Sequence, residues 1–342
     1  MATKFIEKVV VLATGGTIAG SAASVMDNIG YTAAQVGVSQ LLAAVPGLNQ
    51  VLAGRTLVAE QVAQIDSKDM SSGVWRQLAL RVSHHLAQDD VTGIVITHGT
   101  DTLEETAYFL HAVLPAQQLA AKPVVLTCAM RPAFSLAPDG PQNIRDAVVV
   151  ATTTGACGVL AVCAGTVHAA VHVQKVHTYQ LDAFSSGDAG PVAYVEASAV
   201  RLVQNWPPAP VNRASSAIEI VALVRQWPRV EIVMNYAGAG GALVDALLAP
   251  VAAADPQGQT DPPLASASPL RGLVVAGTGN GTIHQDLEAA LRRARALGVR
   301  VVRSTRCAEG RVLATDSSEF EDSEGLSPVK ARVALMLELM QA

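Results

Sequence analysis

Apolar residues along this chain follow two rhythms. Unbroken runs at VVVLA (9–13), TGIVITH (92–98), KPVVLTC (122–128) and GVLAVCAG (158–165) have the length and β-branched content of strands buried on both faces. Between them, SGVWRQLALRVSHHLAQ (72–88) and LEETAYFLHAVL (103–114) repeat apolar positions at three- and four-residue intervals, the spacing of one helix face. Such alternation predicts a mostly parallel sheet covered by helices on both sides. The rhythm stops at NWPPAPVNRASS (205–216), which carries three prolines. It resumes with strand patterns at 229–237, 272–279 and 299–306 and helical ones at 284–298 and 327–340, the last opening on Ser-Pro, a normal helix start. The expectation is an α/β protein with a larger N-terminal domain over 1–204, a linker over 205–226 and a smaller C-terminal α/β domain over 227–342. DPQGQTDPPLASASP (255–269) reads as a polar surface loop.

Length and composition agree with two cores. The chain has 342 residues, of which 50% are hydrophobic and 15% charged. The net charge, 24 − 29 = −5, comes without a basic stripe, which disfavours a nucleic-acid partner. The uncharged run 147–167 is long enough to suggest a membrane span, but TTTG and its glycines divide it into a helix end, a turn and a buried strand, so no membrane partner is expected. No apolar leader with a cleavage site precedes the first strand. Cys128, Cys157, Cys163 and Cys307 form no CxxC pair and read as buried thiols. Together these features lead to the expectation of a reducing, cytoplasmic location, the alternative being the mature form of an exported protein, which would look the same.

Two strands end in polar turns, at ATGGTIAG (13–20) and THGTDTLEET (97–106). Ligands of parallel sheets bind at this carboxyl edge. A nucleotide is disfavoured: TGGTIAG lacks the GxGxxG order and a phosphate-binding lysine, as does GTGNGT (277–282). Nucleophilic catalysis suits the turns better. A Gly-Gly-Thr turn presents a hydroxyl, Thr17, and frees backbone N–H groups for an oxyanion. That hydroxyl needs a base or a polarising hydrogen bond. Thr100 could activate water or relay a proton, and Asp101 could hold an ammonium group. Lys175, after a long uncharged stretch, is the candidate partner of Thr100; in a poorly solvated site its pKa would fall. Threonines after strands also serve as caps, so spacing alone leaves both readings open. His98 reads as a support for its turn, Glu104 and Glu105 as carboxylates favouring a helix start, and HAAVHVQKVH (168–177) as one face of a strand or loop, with no metal site.

The segments ATGGTIAG (13–20), DSKDM (66–70), THGTDTLEETAYFL (97–110), AMRP (129–132), DGPQN (139–143) and GTGNG (277–281) resemble, in order, the bacterial-type L-asparaginases and asparaginase/glutaminases. The resemblance runs from about residue 8 to 340. It implies an N-terminal parallel domain with a flavodoxin-like core, a smaller α/β domain and no cofactor. It also implies conversion of L-asparagine to L-aspartate and ammonia, with a side activity on L-glutamine. Thr17 matches the attacking threonine that becomes the acyl-enzyme. Tyr31 matches a tyrosine on the active-site loop that bonds to it, and Thr100, Asp101 and Lys175 match a second threonine–aspartate–lysine group. The implied substrate-binding set is Gly16, Ser67, Lys68, Gly99, Thr100, Asp101, Ala129 and Thr282. Within it Ser67 holds the α-carboxylate, Asp101 the α-ammonium, and the Ala129 backbone meets the side-chain amide. The family assembles as homo-oligomers, usually tetramers built as dimers of dimers, with sites between subunits; Glu319 is the candidate for a partner-subunit acid.

Two positions depart from the pattern. Lys68 stands where the exported high-affinity members of the resembled family usually carry Gln or Glu, and Thr282 where such members usually carry a partner-subunit Asn. A lysine pointing into the pocket would repel an ammonium, although it could also reinforce carboxylate binding; the expectation is weakened amino-acid affinity or altered substrate choice, with Lys68→Gln lowering KM. The alternatives to a hydrolase are a non-catalytic amino-acid-binding homologue and the ammonia-supplying subunit of an amidotransferase.

Overall fold

A computed structural model describes residues 6–208, 217–249, 269–313, 315 and 318–341. The chain divides into two compact units, Met1–Leu223 and Val224–Ala342. Of the linker expected over 205–226, residues 209–216 lie outside the described residues, and Ala217–Leu223 is a helix that buries Ala217 and Val221. The polar loop expected over 255–269 lies, apart from Pro269, outside the described residues.

Among its described residues the N-terminal unit is built on an eight-stranded sheet. Its strands are β1 (Lys8–Gly15), β2 (Thr56–Ile65), β3 (Val91–Thr97), β4 (Val124–Thr127), β5 (Val159–Cys163) and β6 (Thr166–Ala169), joined by β9 (Ala193–Glu196) and β10 (Ala199–Leu202). A separate short hairpin pairs β7 (Gln174–Lys175) with β8 (Phe184–Ser185). The order is β10-β9-β6-β5-β4-β3-β1-β2; β2 to β5 are parallel, and the β5–β6, β6–β9 and β9–β10 pairs are antiparallel. The apolar runs are the central strands, and Leu12, Ile94, Ile96 and Leu126 are fully buried among them. Each such side chain contributes about 1.5–3 kcal/mol by leaving water.

Helices cover the sheet as the three- and four-residue spacing predicts. Ser71 caps Ser72–Leu86 by accepting a hydrogen bond from the Val74 N–H. Trp75 then stacks on Phe109 of Leu103–Val113 and donates to the Thr106 hydroxyl at 2.8 Å. The uncharged run 147–167 resolves into the end of helix Gly140–Thr152, a turn and β5. Among the described residues no helix is long and apolar enough to cross a membrane.

The cysteines depart from the expectation of four buried thiols. Cys128, just after β4, and Cys163, at the end of the neighbouring β5, are buried, their sulfurs 3.0 Å apart as free thiols, and burial pushes the Cys128 thiol up. Cys157 is half-buried, and Cys307 is exposed because it lies in the turn after a strand rather than within it.

Among its described residues the C-terminal unit has four parallel strands, β11 (Arg229–Met234), β12 (Leu270–Gly277), β13 (Arg300–Thr305) and β14 (Glu321–Asp322). Its helix Gln285–Ala296 buries Leu287, Ala290, Leu291 and Ala294 and turns its arginines outward into ion pairs.

Candidate active site

The carboxyl ends of β1 and β3 are adjacent because β1 pairs with β3, Ala13 lying opposite Thr97. The two polar turns leave the sheet side by side and touch. Gly16 has φ 81°, and a Cβ there would collide with the Gly99 backbone. A Cβ on Gly99 would in turn strike Ser67. Only glycine permits both the left-handed backbone and this close approach. Three loops therefore meet within side-chain reach of one another.

Thr17 opens the one-turn helix Thr17–Ala19 and is buried. Its hydroxyl lies 2.6 Å from the Tyr31 hydroxyl. The loop carrying Tyr31 is laid against the turn, with Ser21 and Thr32 paired and the Ala34 N–H donating to the Gly16 carbonyl at 3.1 Å. Burial pushes the Tyr31 phenol up, and the Asp66 and Asp101 carboxylates push the same way against the Thr17 hydrogen bond. Tyr31 is therefore a neutral phenol near pH 7, able to donate or accept a hydrogen bond.

The second turn forms a connected polar group. Lys175 donates to the Thr100 hydroxyl at 2.8 Å and to Asp101 Oδ1 at 2.6 Å. The hairpin of β7 and β8 delivers this lysine; its side chain is 19% exposed, whereas that of Asp101 is 53% exposed. Asp101 thus keeps an open carboxylate face while Thr100 is buried. Ser67 Oγ accepts from the Asp101 N–H at 3.2 Å, and the Thr102 hydroxyl donates to the Ser67 carbonyl at 2.8 Å. Gly16, Thr17, Tyr31, Ser67, Gly99, Thr100, Asp101 and Lys175 accordingly form one cluster, which Ala129 joins through its packing beside Ile18 and Gly140.

Lys68 turns to its neighbours. Its ammonium contacts Asp69 at 2.7 Å and Asp66 at 3.3 Å, with the side chain 62% exposed. Two carboxylates offset its charge, and their hydrogen bonds push its pKa up, Asp69 foremost. A Lys68→Gln variant should therefore change KM by less than about threefold, the scale of an exposed ion pair. This is a smaller effect than the sequence alone suggests, and substrate titration of the variant measures it.

Two candidates belong to the C-terminal unit. The Thr282 hydroxyl is spent on its own turn, donating to the Thr278 carbonyl at 2.9 Å. Glu319 accepts from Arg292 at 2.7 Å and Arg295 at 2.6 Å, and the Arg292 hydrogen bond chiefly holds its carboxyl low.

His98 supports its turn. Its Nδ1 faces the Gly99 carbonyl at 2.7 Å, so that nitrogen carries the proton and donates. Complete burial lowers its pKa to about 4. The unfolded chain binds this proton below about pH 6.5, the folded one only below about 4. The stability this neutral histidine permits is thus present above pH 6.5 and lost as pH falls toward 4. The expected loss is about 2 kcal/mol between pH 7 and 4.5. An NMR titration should find the His98 ring neutral down to pH 5, with the urea midpoint falling over the same window.

Asp139, Asn143 and Thr102 had no role assigned from sequence. The signal for the first two was DGPQN (139–143), an acid just before a helix whose proline stands in the first turn.

A parallel α/β sheet with hydroxyl-bearing turns abutting at its carboxyl edge defines an α/β enzyme with its site at the strand ends. Similarity to known proteins fixes the family. The description "Asparaginase, N-terminal" matches residues 8–208, and "Glutaminase/Asparaginase C-terminal domain" matches residues 229–342. The chain belongs to the asparaginase family. It is 36% identical to L-asparaginase 2 of Escherichia coli (strain K12), the alignment covering 98% of this chain and 90% of that protein. It is 34% identical to the glutaminase-asparaginase of Pseudomonas fluorescens biotype A, covering 98% of this chain and 86% of that one. The crystal structure of a probable cytoplasmic L-asparaginase from Campylobacter jejuni superposes with a TM-score of 0.83 at 33% identity, covering 98% and 96% of the two chains.

Proposed function

We propose that this protein hydrolyses the side-chain amide of L-asparagine to L-aspartate and ammonia, with L-glutamine as a secondary substrate. The observation that carries the reading is the Lys175–Thr100–Asp101 group standing beside the Thr17–Tyr31 pair on abutting turns. The names of the relatives support the substrate class.

The chemistry runs in two stages. Ser67 and Asp101 hold the α-carboxylate and α-ammonium, and the Ala129 backbone meets the amide. Thr17 Oγ attacks the amide carbon, its proton passing into the hydrogen-bonded group, and backbone N–H groups at the turn receive the oxyanion. The tetrahedral carbon expels its nitrogen, which takes up a proton and leaves as ammonia. A water polarised by the Thr100–Lys175 pair then attacks the ester, gives its proton back to Thr17 and frees L-aspartate. We place the working protein as a homotetramer, a dimer of dimers in which a partner's C-terminal unit completes each pocket. A cytoplasmic location fits the free cysteines and the name of the Campylobacter relative.

The test is ammonia release by the purified protein, titrated separately with L-asparagine and L-glutamine. Saturable release, better with asparagine, is expected. Binding of either amino acid without ammonia release at millimolar concentration would overturn the reading.

A further inference from the structure

The Ala129 backbone leaves β4 on a short segment held from both sides by two side chains. Asp139, just before the helix Gly140–Thr152, accepts from the Met130 N–H through Oδ2 at 2.9 Å and from the Arg131 N–H through Oδ1 at 3.0 Å. Asn143 donates from Nδ2 to the Cys128 carbonyl at 2.9 Å and to Asp139 Oδ2 at 3.3 Å. Its Oδ1 accepts from the Ala164 N–H, after β5, at 3.1 Å. The carbonyl preceding Ala129 is thus pinned by Asn143, and the amide following it by Asp139. Gly140 seats the same helix start on the first turn. A Cβ there would lie 2.9 Å from Ile18 Cγ1 and 3.5 Å from the Ala129 Cβ. One helix start therefore touches both Ala129 and the residue after Thr17.

We propose that Asp139 and Asn143 are positioning residues for the amide hydrolysis: they fix the Ala129 backbone in register with Thr17 and so set the aim of the hydroxyl at the substrate amide carbon. This rests on the reading that the Ala129 backbone meets the side-chain amide. The chemistry of the two side chains is matched to the task. A carboxylate offers only acceptors, and two backbone N–H groups face it. A carboxamide offers a donor and an acceptor, and it faces a carbonyl on one side and an N–H on the other. Asn143 is 2% exposed, so water cannot stand in for a lost partner.

Near-isosteric exchange tests the proposal without emptying volume. Asp139→Asn sets an amide donor against Met130 or Arg131 N–H; Asn143→Asp sets a carboxylate against the Cys128 carbonyl. Either should lower kcat for L-asparagine about 10- to 100-fold, as a displacement of about 1 Å near the reacting atoms does. KM should move less than about threefold, because the α-groups are held by Ser67 and Asp101. The β-methyl ester of L-aspartate, which has no amide N–H to present to the Ala129 backbone, should lose less than the amide. Val148→Ala, on the same helix and fully buried, is the stability control: it should lower Tm while kcat and the ester-to-amide ratio stay at wild-type values. Should Asp139→Asn fail to fold, Asn143→Asp carries the same expectation.

Folded variants with wild-type kcat and ester-to-amide ratio would overturn the proposal. So would a Val148→Ala enzyme showing the same kinetic profile as the polar variants. Ammonia release by the wild type separates the two levels: an inactive wild type overturns the catalytic reading and this inference with it, whereas an active wild type with unaffected variants overturns the positioning role alone.

Discussion

Thr17→Ala should reduce ammonia release by at least about 10,000-fold, a loss of about 5 kcal/mol of transition-state stabilisation. The substitution removes the atom that forms the ester, and the remaining groups can only polarise water against an unactivated amide. The binding groups Ser67 and Asp101 are untouched, so the variant should still bind L-asparagine with a Kd close to the wild-type KM. Calorimetric titration beside the ammonia assay separates these effects. The fold should survive, because Thr17 contributes a hydroxyl bonded to Tyr31 rather than core volume, and Tyr31 Oη can turn to water at the half-buried loop. Thr17→Ser keeps the hydroxyl but adds a rotamer choice, and it should retain part of the rate. Full activity in Thr17→Ala would transfer the nucleophile's role elsewhere, Thr100 being the next hydroxyl in the cluster.

Much of this site was legible in the sequence, and the reasons are physical. Strands buried on both faces must be apolar throughout, so β1, β3, β4 and β5 stand out as runs, and the polar turns at their ends stand out by contrast. Edge strands carry no such signature. Within β2 only Val62 is buried, so TLVAEQVAQI has neither a run nor an alternation to betray it. The short antiparallel strands β6, β9 and β10 are four residues each, too brief for periodicity to register. The abutment of Gly16 with Gly99 is a distance between segments far apart in the chain, and the spacing of residues says nothing of it. The same holds for Lys68: its identity suggests a charge in the pocket, and the ion pairs with Asp66 and Asp69 that offset this charge are contacts its spacing does not encode. Asp139 and Asn143 were visible as letters in a motif, but their partners are backbone groups, which no residue name encodes.

Lys175→Met should lower kcat by about 100- to 10,000-fold, the range of a positioned proton-transfer group. Methionine keeps most of the length of the side chain and loses every donor. Thr100 Oγ1 and Asp101 Oδ1 then lose contacts of 2.8 and 2.6 Å. KM should change little, because the open face of Asp101 still receives the α-ammonium. Lys175→Arg distinguishes two roles. Arginine keeps the positive charge and the ability to donate hydrogen bonds to Thr100 and Asp101, but does not give up a proton in a protein. A rate for Lys175→Arg near that of Lys175→Met means the amine must move a proton; a rate near wild type means its charge alone polarises Thr100. The double variant Thr17→Ala/Lys175→Met should be no slower than Thr17→Ala, since groups that act on one covalent route fail together rather than additively. A double variant slower by the product of the two single losses would mean that Lys175 serves a reaction in which Thr17 has no part.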